Sequence, residues 1–144
     1  MVAPRGSTST EETRLRFQYA AKFLCVANIP GTSVTTTSVH PGAYSTAINI
    51  HNPNGEVVRL REKIAMGPEV ISDFVEDTLN ADAMMRIDCS EISSRFGPFI
   101  HGSEGFLVIE SSHSLDVIAV YTAGPAGGQV ASIDVELVQE RMLG

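Results

Sequence analysis

The sequence has no tryptophan, and its 144 residues include only two cysteines, three tyrosines and six phenylalanines. Carbohydrate sites normally use aromatic side chains as platforms, so this scarcity argues against a glycosidase. Positive charge is also scarce: 10 Lys and Arg stand against 17 Asp and Glu, which gives a formal net charge of −7. A chain with this charge repels nucleic acid and anionic lipid at long range, and we expect neither as a partner.

Long apolar runs are missing as well, and no stretch approaches the roughly 18 apolar residues of a membrane-spanning helix. The N-terminal segment MVAPRGSTSTEETRLR has acidic residues before any apolar stretch, so it lacks the order of a secretory signal. We therefore predict a soluble, cytoplasmic protein. In a reducing cytoplasm the favoured interpretation of Cys25 and Cys89 is two free structural thiols, and a disulfide between them is the open alternative.

Residues 1–13 are small and polar, and we predict a disordered N-terminal arm followed by a single domain over 14–144. Most of this domain alternates apolar and polar residues, the period of a half-buried strand. The predicted strands cover residues 16–27, 44–51, 57–66, 83–89, 105–110, 115–123 and 129–139. In the last of them Ile133, Val135 and Leu137 form an apolar face opposite one solvated face.

One segment has a different period. After Pro68, five apolar residues have the spacing of a single helical stripe, and Pro68 suits a first helical turn. They are Val70, Ile71, Phe74, Val75 and Leu79. This pattern predicts an acidic, external helix over 68–79, and the residues after Cys89 read as a turn-rich segment.

These elements predict a mainly β protein, an antiparallel β-sandwich or flattened barrel of about seven to eight strands with one short inserted helix. The pattern has no crossover helices between parallel strands. Rossmann, TIM-barrel and P-loop folds are therefore excluded.

No motif names a reaction, and we predict no catalytic residue, no cofactor and no metal. The four histidines, His40, His51, His101 and His113, are not paired at ligand spacing. The segment SSHS at 111–114 places serine and histidine side by side, but neighbouring residues of a turn point in different directions, which disfavours proton transfer between them.

Loops carry function on a rigid sandwich, so a ligand would be sought first at the hairpin turns. The polar candidates for ligand binding there are His51, Asn52, Glu110 and His113.

The block GFLVIESSHSLDVIAVYTA and the earlier strand AINIHNPNGEVVRLREKI resemble an uncharacterised family of small bacterial β-sandwich proteins. More distantly, they resemble the sensory rhodopsin transducer proteins. The likeness extends over residues 16–123 and rests on an order of features: a Pro-Gly stretch, a hairpin with Asn49, Asn52 and Asn54, and an I-E-S-S turn before a V-Y-T strand. The resemblance implies a non-enzymatic antiparallel sandwich that forms a symmetric homo-oligomer and binds a partner or small ligand.

We therefore predict a non-catalytic interaction module that self-associates into a symmetric oligomer and binds a protein partner or a small ligand. Apolar residues on both faces of GFLVI and DVIAVY indicate strands covered on both sides, by the core and by a subunit contact. One alternative is a small metal-dependent, cupin-like enzyme that uses His51, His101 or His113 with Glu110. Another is a structural or scaffold component of a larger assembly.

Overall fold

The computed structural model describes residues 14–28, 42–97, 102–125 and 129–144. In this part of the chain there are ten strands and one helix. They are β1 (Phe17–Asn28), β2 (Gly42–His51), β3 (Val58–Gly67), β4 (Val70–Ile71), β5 (Val75–Leu79), β6 (Met84–Asp88), α1 (Cys89–Phe96), β7 (Gly102–Ser111), β8 (Asp116–Gly124), β9 (Ser132–Leu137) and β10 (Glu140–Met142). The predicted arm at 1–13, His40 and His101 lie outside the described residues.

Strand β1 organises the sheet because it pairs with three other strands. Along one edge it pairs with β7, from Phe17 opposite Ser111 to Val26 opposite Gly102. Its other edge pairs first with β10 and then, through its last three residues, with β2. The sheet order is β4-β3-β7-β1-β2-β8-β9, with β5 beside β3 and β6 beside β2.

The two halves of the sheet, β3–β7–β1 and β2–β8, bury their apolar faces in one core. Alternate residues of each strand are buried, as the period of two requires. The core residues of these strands include Tyr19, Ala21 and Phe23; Ile48 and Ile50; Val58, Leu60 and Ile64; Leu107 and Ile109; and Val117 and Ala119. Since strands from both halves contribute to a single cluster, the sheet must curve around it.

The predicted fold class is confirmed: the protein is mainly β, antiparallel throughout its described strand pairs, with one short helix. The described residues form ten strands rather than about seven to eight. The sheet is not closed into a barrel, because β9 pairs with β8 alone and β4 with β3 alone among the described strands.

The helix predicted over 68–79 is wrong. Pro68 and Glu69 form a turn, and the chain then continues as β4 and β5. Strand β5 pairs with β3, from Leu79 opposite Val58 to Val75 opposite Glu62. The physical reason is that a helix would have left the backbone groups along this edge of β3 without partners.

The helix lies instead at Cys89–Phe96, in the segment predicted to be rich in turns. Asp88 caps it, because the Asp88 Oδ1 atom accepts a hydrogen bond from the Glu91 N–H at 3.0 Å. An ion pair between Glu91 and Arg95, one turn apart, supports the helix on its surface. Ile92 is fully buried and fixes the helix to the core.

Cys25 and Cys89 form a disulfide, which corrects the expectation of two free thiols. Their Cα atoms are 5.6 Å apart, within the ordinary range for a disulfide, and the bond spans 64 residues of sequence. It connects β1 to the first residue of α1. A sequence separation this large gives no hint of the contact, which depends on α1 packing beside the end of β1.

We predict that the double variant C25A/C89A unfolds with a free energy about 2–5 kcal/mol below that of the wild type, because the disulfide restricts the unfolded chain. Urea unfolding under non-reducing conditions measures the difference. A reducing agent should destabilise the wild type and leave C25A/C89A unchanged. Equal stability of the two proteins without reductant would contradict the prediction.

Candidate functional site

Three of the four predicted ligand-binding residues lie at one end of the sheet. His51 ends β2, Asn52 begins the following loop, and His113 lies in the turn between β7 and β8. The loop and the turn are in contact, since Asn54 Nδ2 donates a hydrogen bond to the Ser114 carbonyl at 2.9 Å. Glu110, the fourth residue, is the penultimate residue of β7, and its side chain lies on the outer face of the sheet.

Asn52 is fully buried and its amide is occupied by hydrogen bonds within the protein. Its Nδ2 atom lies 2.8 Å from the Glu56 carbonyl and 3.0 Å from both the Leu79 and Asn80 carbonyls. Its Oδ1 atom accepts from the backbone and side chain of Asn54, each at 2.9 Å. Asn52 therefore joins the β2–β3 loop to the end of β5. Ligand binding by Asn52 stays a prediction, and the burial of its side chain argues against it.

His51 bridges two carboxylates at the surface. Its Nδ1 atom lies 2.8 Å from Asp116 Oδ2, and its Nε2 atom lies 2.9 Å from Asp82 Oδ1. Hydrogen bonds to Asp116 and then to Asp82 raise the pKa of His51, because each favours the protonated ring. The imidazolium form connects the turn before β6 to the start of β8.

His113 contacts the neighbouring serine, contrary to the expectation that the two side chains diverge. Ser112 Oγ and His113 Nδ1 are 3.0 Å apart, and His113 Nε2 lies 3.3 Å from Glu56 Oε2. This order of groups is that of a catalytic triad. However, Ser112 is 1% exposed, and its Oγ also accepts from the Arg59 N–H at 3.2 Å. A hydroxyl buried in this way is not accessible to a substrate, so the group is best explained as a turn support.

Glu110 is nearly buried on the outer face of the sheet, and both of its oxygens have partners. Oε1 accepts from Arg61 Nε and Nη2 at 3.0 and 2.7 Å, and Oε2 accepts from Gln18 Nε2 at 2.9 Å. Gln18 in turn accepts from Arg141 Nη2 at 2.7 Å. This polar row crosses β10, β1, β7 and β3 and holds neighbouring strands together.

A buried acid on β3 was missed by sequence reasoning. Glu62 lies on the inward face between Leu60 and Ile64 and has no solvent exposure. Its Oε1 atom accepts from Arg95 Nη1 at 2.9 Å, while Oε2 has no hydrogen-bond partner among the described residues. The period of two along β3 places position 62 on the inward face, and this pattern was the sequence signal that could have predicted a buried acid.

Arg95 is shared by three acids. Besides Glu62, its Nη1 donates to Asp77 Oδ2 at 2.7 Å and its Nε donates to Glu91 Oε2 at 3.0 Å. Burial raises the pKa of Glu62 to about 9, and the neighbouring Asp77 carboxylate is the next cause of the rise. The raised pKa favours the protonated form of Glu62.

Strand β9 was expected to have one solvated face, and the structure leaves both faces exposed. Ile133, Val135 and Leu137 are 65%, 62% and 75% exposed. They lie directly opposite Thr122, Val120 and Ile118 of β8, and residues opposite one another share a face of the sheet. Ile118 and Val120 alternate with core residues of β8, so this face is the outer one.

We call this surface the β8–β9 patch and define it as Ile118, Val120, Ile133, Val135 and Leu137. The other face of β9 carries Ser132, Asp134 and Glu136, also exposed. Burial, and then the charges of Glu136 and Asp134, raise the pKa of Tyr121, whose hydroxyl donates to the Lys22 carbonyl at 2.7 Å. Strand β9 is therefore apolar on its outer face and acidic on its inner face.

A small cavity of about 190 Å³ lies beside β9 and is lined in part by Tyr44, Tyr121, Ser132 and Asp134. Ligand pockets are usually about 300–1,000 Å³. Of the described residues, no three His, Cys, Asp or Glu side chains come together as metal ligands. The described part of the chain also holds no helix long and apolar enough to cross a membrane.

No family model matches this chain, and no curated protein matches it in sequence. Among solved structures, the fold is similar to that of Thermotoga maritima 1070, with a TM-score of 0.60 at 7% identity. The similarity covers 86% of this chain and 92% of that protein. At this level of identity the likeness concerns the fold alone.

We predict that D116N lowers the pKa of His51 more than D82N does, because the hydrogen bond to Asp116 is the larger cause of its rise. NMR titration of the His51 ring in wild type and in each variant measures both shifts. An unchanged His51 pKa in D116N would contradict the observed pairing.

We predict that E62Q removes much of the pH dependence of stability. Glu62 has a pKa of about 9 in the folded protein and about 4.5 when unfolded, so the folded state holds its proton more tightly. Its contribution to stability is complete below the unfolded value and is lost as the pH rises through the folded value. Urea unfolding of wild type and E62Q, measured between about pH 5 and about pH 9, tests this.

The matched control is E136Q, which removes the charge of an exposed glutamate. Its free energy of unfolding should follow that of the wild type across the same pH range. Parallel pH profiles for wild type and E62Q would show that Glu62 is already ionised in the folded protein.

Proposed function

We propose that this protein is a non-catalytic interaction module that self-associates into a symmetric oligomer and binds a protein partner or a small ligand. The observation that supports this best is the β8–β9 patch, a contiguous apolar surface on the outer face of the sheet. Soluble monomers seldom expose large contiguous apolar patches, and patches of this kind mark interaction sites.

The composition of the patch favours contact with a second copy. A two-fold axis brings the same surface of both protomers together, so the surface must be complementary to itself. The five side chains of the patch are aliphatic and carry no charge. They can therefore approach their own copies even though the chain as a whole is acidic.

The resemblance to small bacterial β-sandwich proteins and to sensory rhodopsin transducers points to the same function. This resemblance stays a prediction. Binding of a small ligand near His51, Asn52, Glu110 and His113 also stays a prediction. Cytoplasmic localisation likewise stays a prediction. The Cys25–Cys89 disulfide argues against it, since such bonds form and persist mainly in oxidising compartments.

We predict that V135K weakens self-association by at least about tenfold, because it places a charge at the centre of an apolar contact. Size-exclusion chromatography with light scattering, over a range of protein concentrations, measures the molar mass. The matched control is V70K, since Val70 is 57% exposed on β4, in the other half of the sheet.

The control should keep the oligomeric state of the wild type. A wild type that stays monomeric at all concentrations would refute self-association. An oligomer that V135K leaves intact would place the contact elsewhere.

A further inference from the structure

The outer edge of β9 presents backbone groups that no described strand pairs with. Strand β9 bonds to β8 on its other side, and the Val138 N–H donates to the Val117 carbonyl at 2.9 Å in the same register. Backbone groups of an antiparallel ladder point alternately toward and away from the partner. Asp134 and Glu136 therefore bond to β8, and the N–H and C=O groups of Ile133, Val135 and Leu137 point to the open edge.

This edge is poorly suited to pair with its own copy. A fully paired two-fold arrangement centres on Val135 and places Asp134 directly opposite Glu136 of the second copy, on both sides of the axis. These are the positions without direct hydrogen bonds, where opposing Cα atoms are only about 4.5 Å apart. Like charges so placed are destabilising, and charged residues on an edge strand commonly prevent edge-to-edge association.

The same charges favour a different strand. We propose that the open edge of β9 binds an extended segment of a protein partner in which basic and apolar residues alternate. This proposal specifies the protein partner of the proposed function and rests on it. The segment adds a strand to the sheet by hydrogen bonding to the backbone of Ile133, Val135 and Leu137.

Side chains of the added strand meet complementary surfaces on both faces. Its basic residues lie opposite Asp134 and Glu136 on the inner face. Its apolar residues extend the β8–β9 patch on the outer face. The net charge of −7 also attracts a basic segment at long range, which speeds association.

Segments of the chain itself do not meet this requirement. Residues 1–13 have one arginine, two glutamates and a proline, with no alternation of basic and apolar residues. Two segments do alternate, and both are already held in the sheet. In the segment 14–17, the Arg16 N–H donates to the Ser111 carbonyl and the Arg16 carbonyl accepts from the Leu143 N–H. In the segment 58–61, β3 is paired with β5 on one edge and with β7 on the other. The occupant must therefore come from another protein.

The test uses short fluorescent peptides and the full chain, with binding measured by fluorescence anisotropy. One peptide alternates lysine and valine, and a second alternates glutamate and valine. A third has the lysine–valine composition in two blocks, so that charge is kept and alternation is lost. We expect the alternating lysine peptide to bind at least about tenfold more tightly than either of the others.

Charge reversal on the protein locates the site. D134K/E136K should weaken binding of the lysine peptide at least about tenfold and improve binding of the glutamate peptide. The matched control is E69K/D73K, which makes the same change of net charge at exposed residues near β4. It should bind the lysine peptide nearly as well as the wild type does.

N-methylation of the lysine peptide tests strand addition directly. Methyl groups on the amides that face β9 should abolish binding, and methyl groups on the other edge of the peptide should not. Equal binding of the lysine and glutamate peptides, or binding unchanged in D134K/E136K, would overturn the proposal.

Molar mass measured on the same samples separates this proposal from self-association. An oligomer that binds no peptide would refute the β9 edge site and leave self-association standing. A monomer that binds the lysine peptide through Asp134 and Glu136 would refute self-association and leave the edge site standing.

Discussion

Burial of the apolar face of the sheet is the constraint on which the rest of the structure depends. The described part of the chain has a single short helix, which is too small to cover ten strands. The sheet must therefore cover itself. It does so where only the last three residues of β1 pair with β2, and this lets the two halves turn toward one core.

The packing of the sheet on itself determines which of its surfaces stay exposed. The inner faces of β1, β2, β3, β7 and β8 are used in the core, and the polar row through Glu110 links the outer face of the first half. The described side chains on the outer face of β8 and β9 form no equivalent polar row. Both features proposed to act in binding lie at this end of the sheet, where none of the described elements covers it.

Sequence reasoning was reliable where one strong signal acted alone. The period of two identified the long strands, including those around Ile48, Leu107 and Val117, because burial on one side imposes that period. It was unreliable over 68–79, where the same apolar residues fit a helical stripe and two short strands. The need of β3 for a partner decided between them, and that need is not visible locally. The helix at 89–96 did have a local signal, the sequence from Asp88 to Glu91, which matches a capping pattern.

The site residues depended even more on contacts between distant segments. His51, Asn52 and Glu110 were chosen from their residue type and their position near predicted turns. Neither property reveals that each side chain forms hydrogen bonds with residues far away in the sequence. Glu62 could have been noted from its position on an apolar face, but its raised pKa depends on its burial in the folded domain and on Asp77, a residue of another strand. The disulfide likewise follows from the position of α1, and not from the spacing of two cysteines.

Helix α1 is attached at both ends by interactions of different kinds. A covalent bond at Cys89 joins its first turn to β1, and Arg95 joins its last turn to Glu62 of β3 and Asp77 of β5. A helix of eight residues would unravel readily on its own. Anchored at both ends, it has no free end from which to unravel. It therefore unfolds together with the strands that hold it, as part of one cooperative unit.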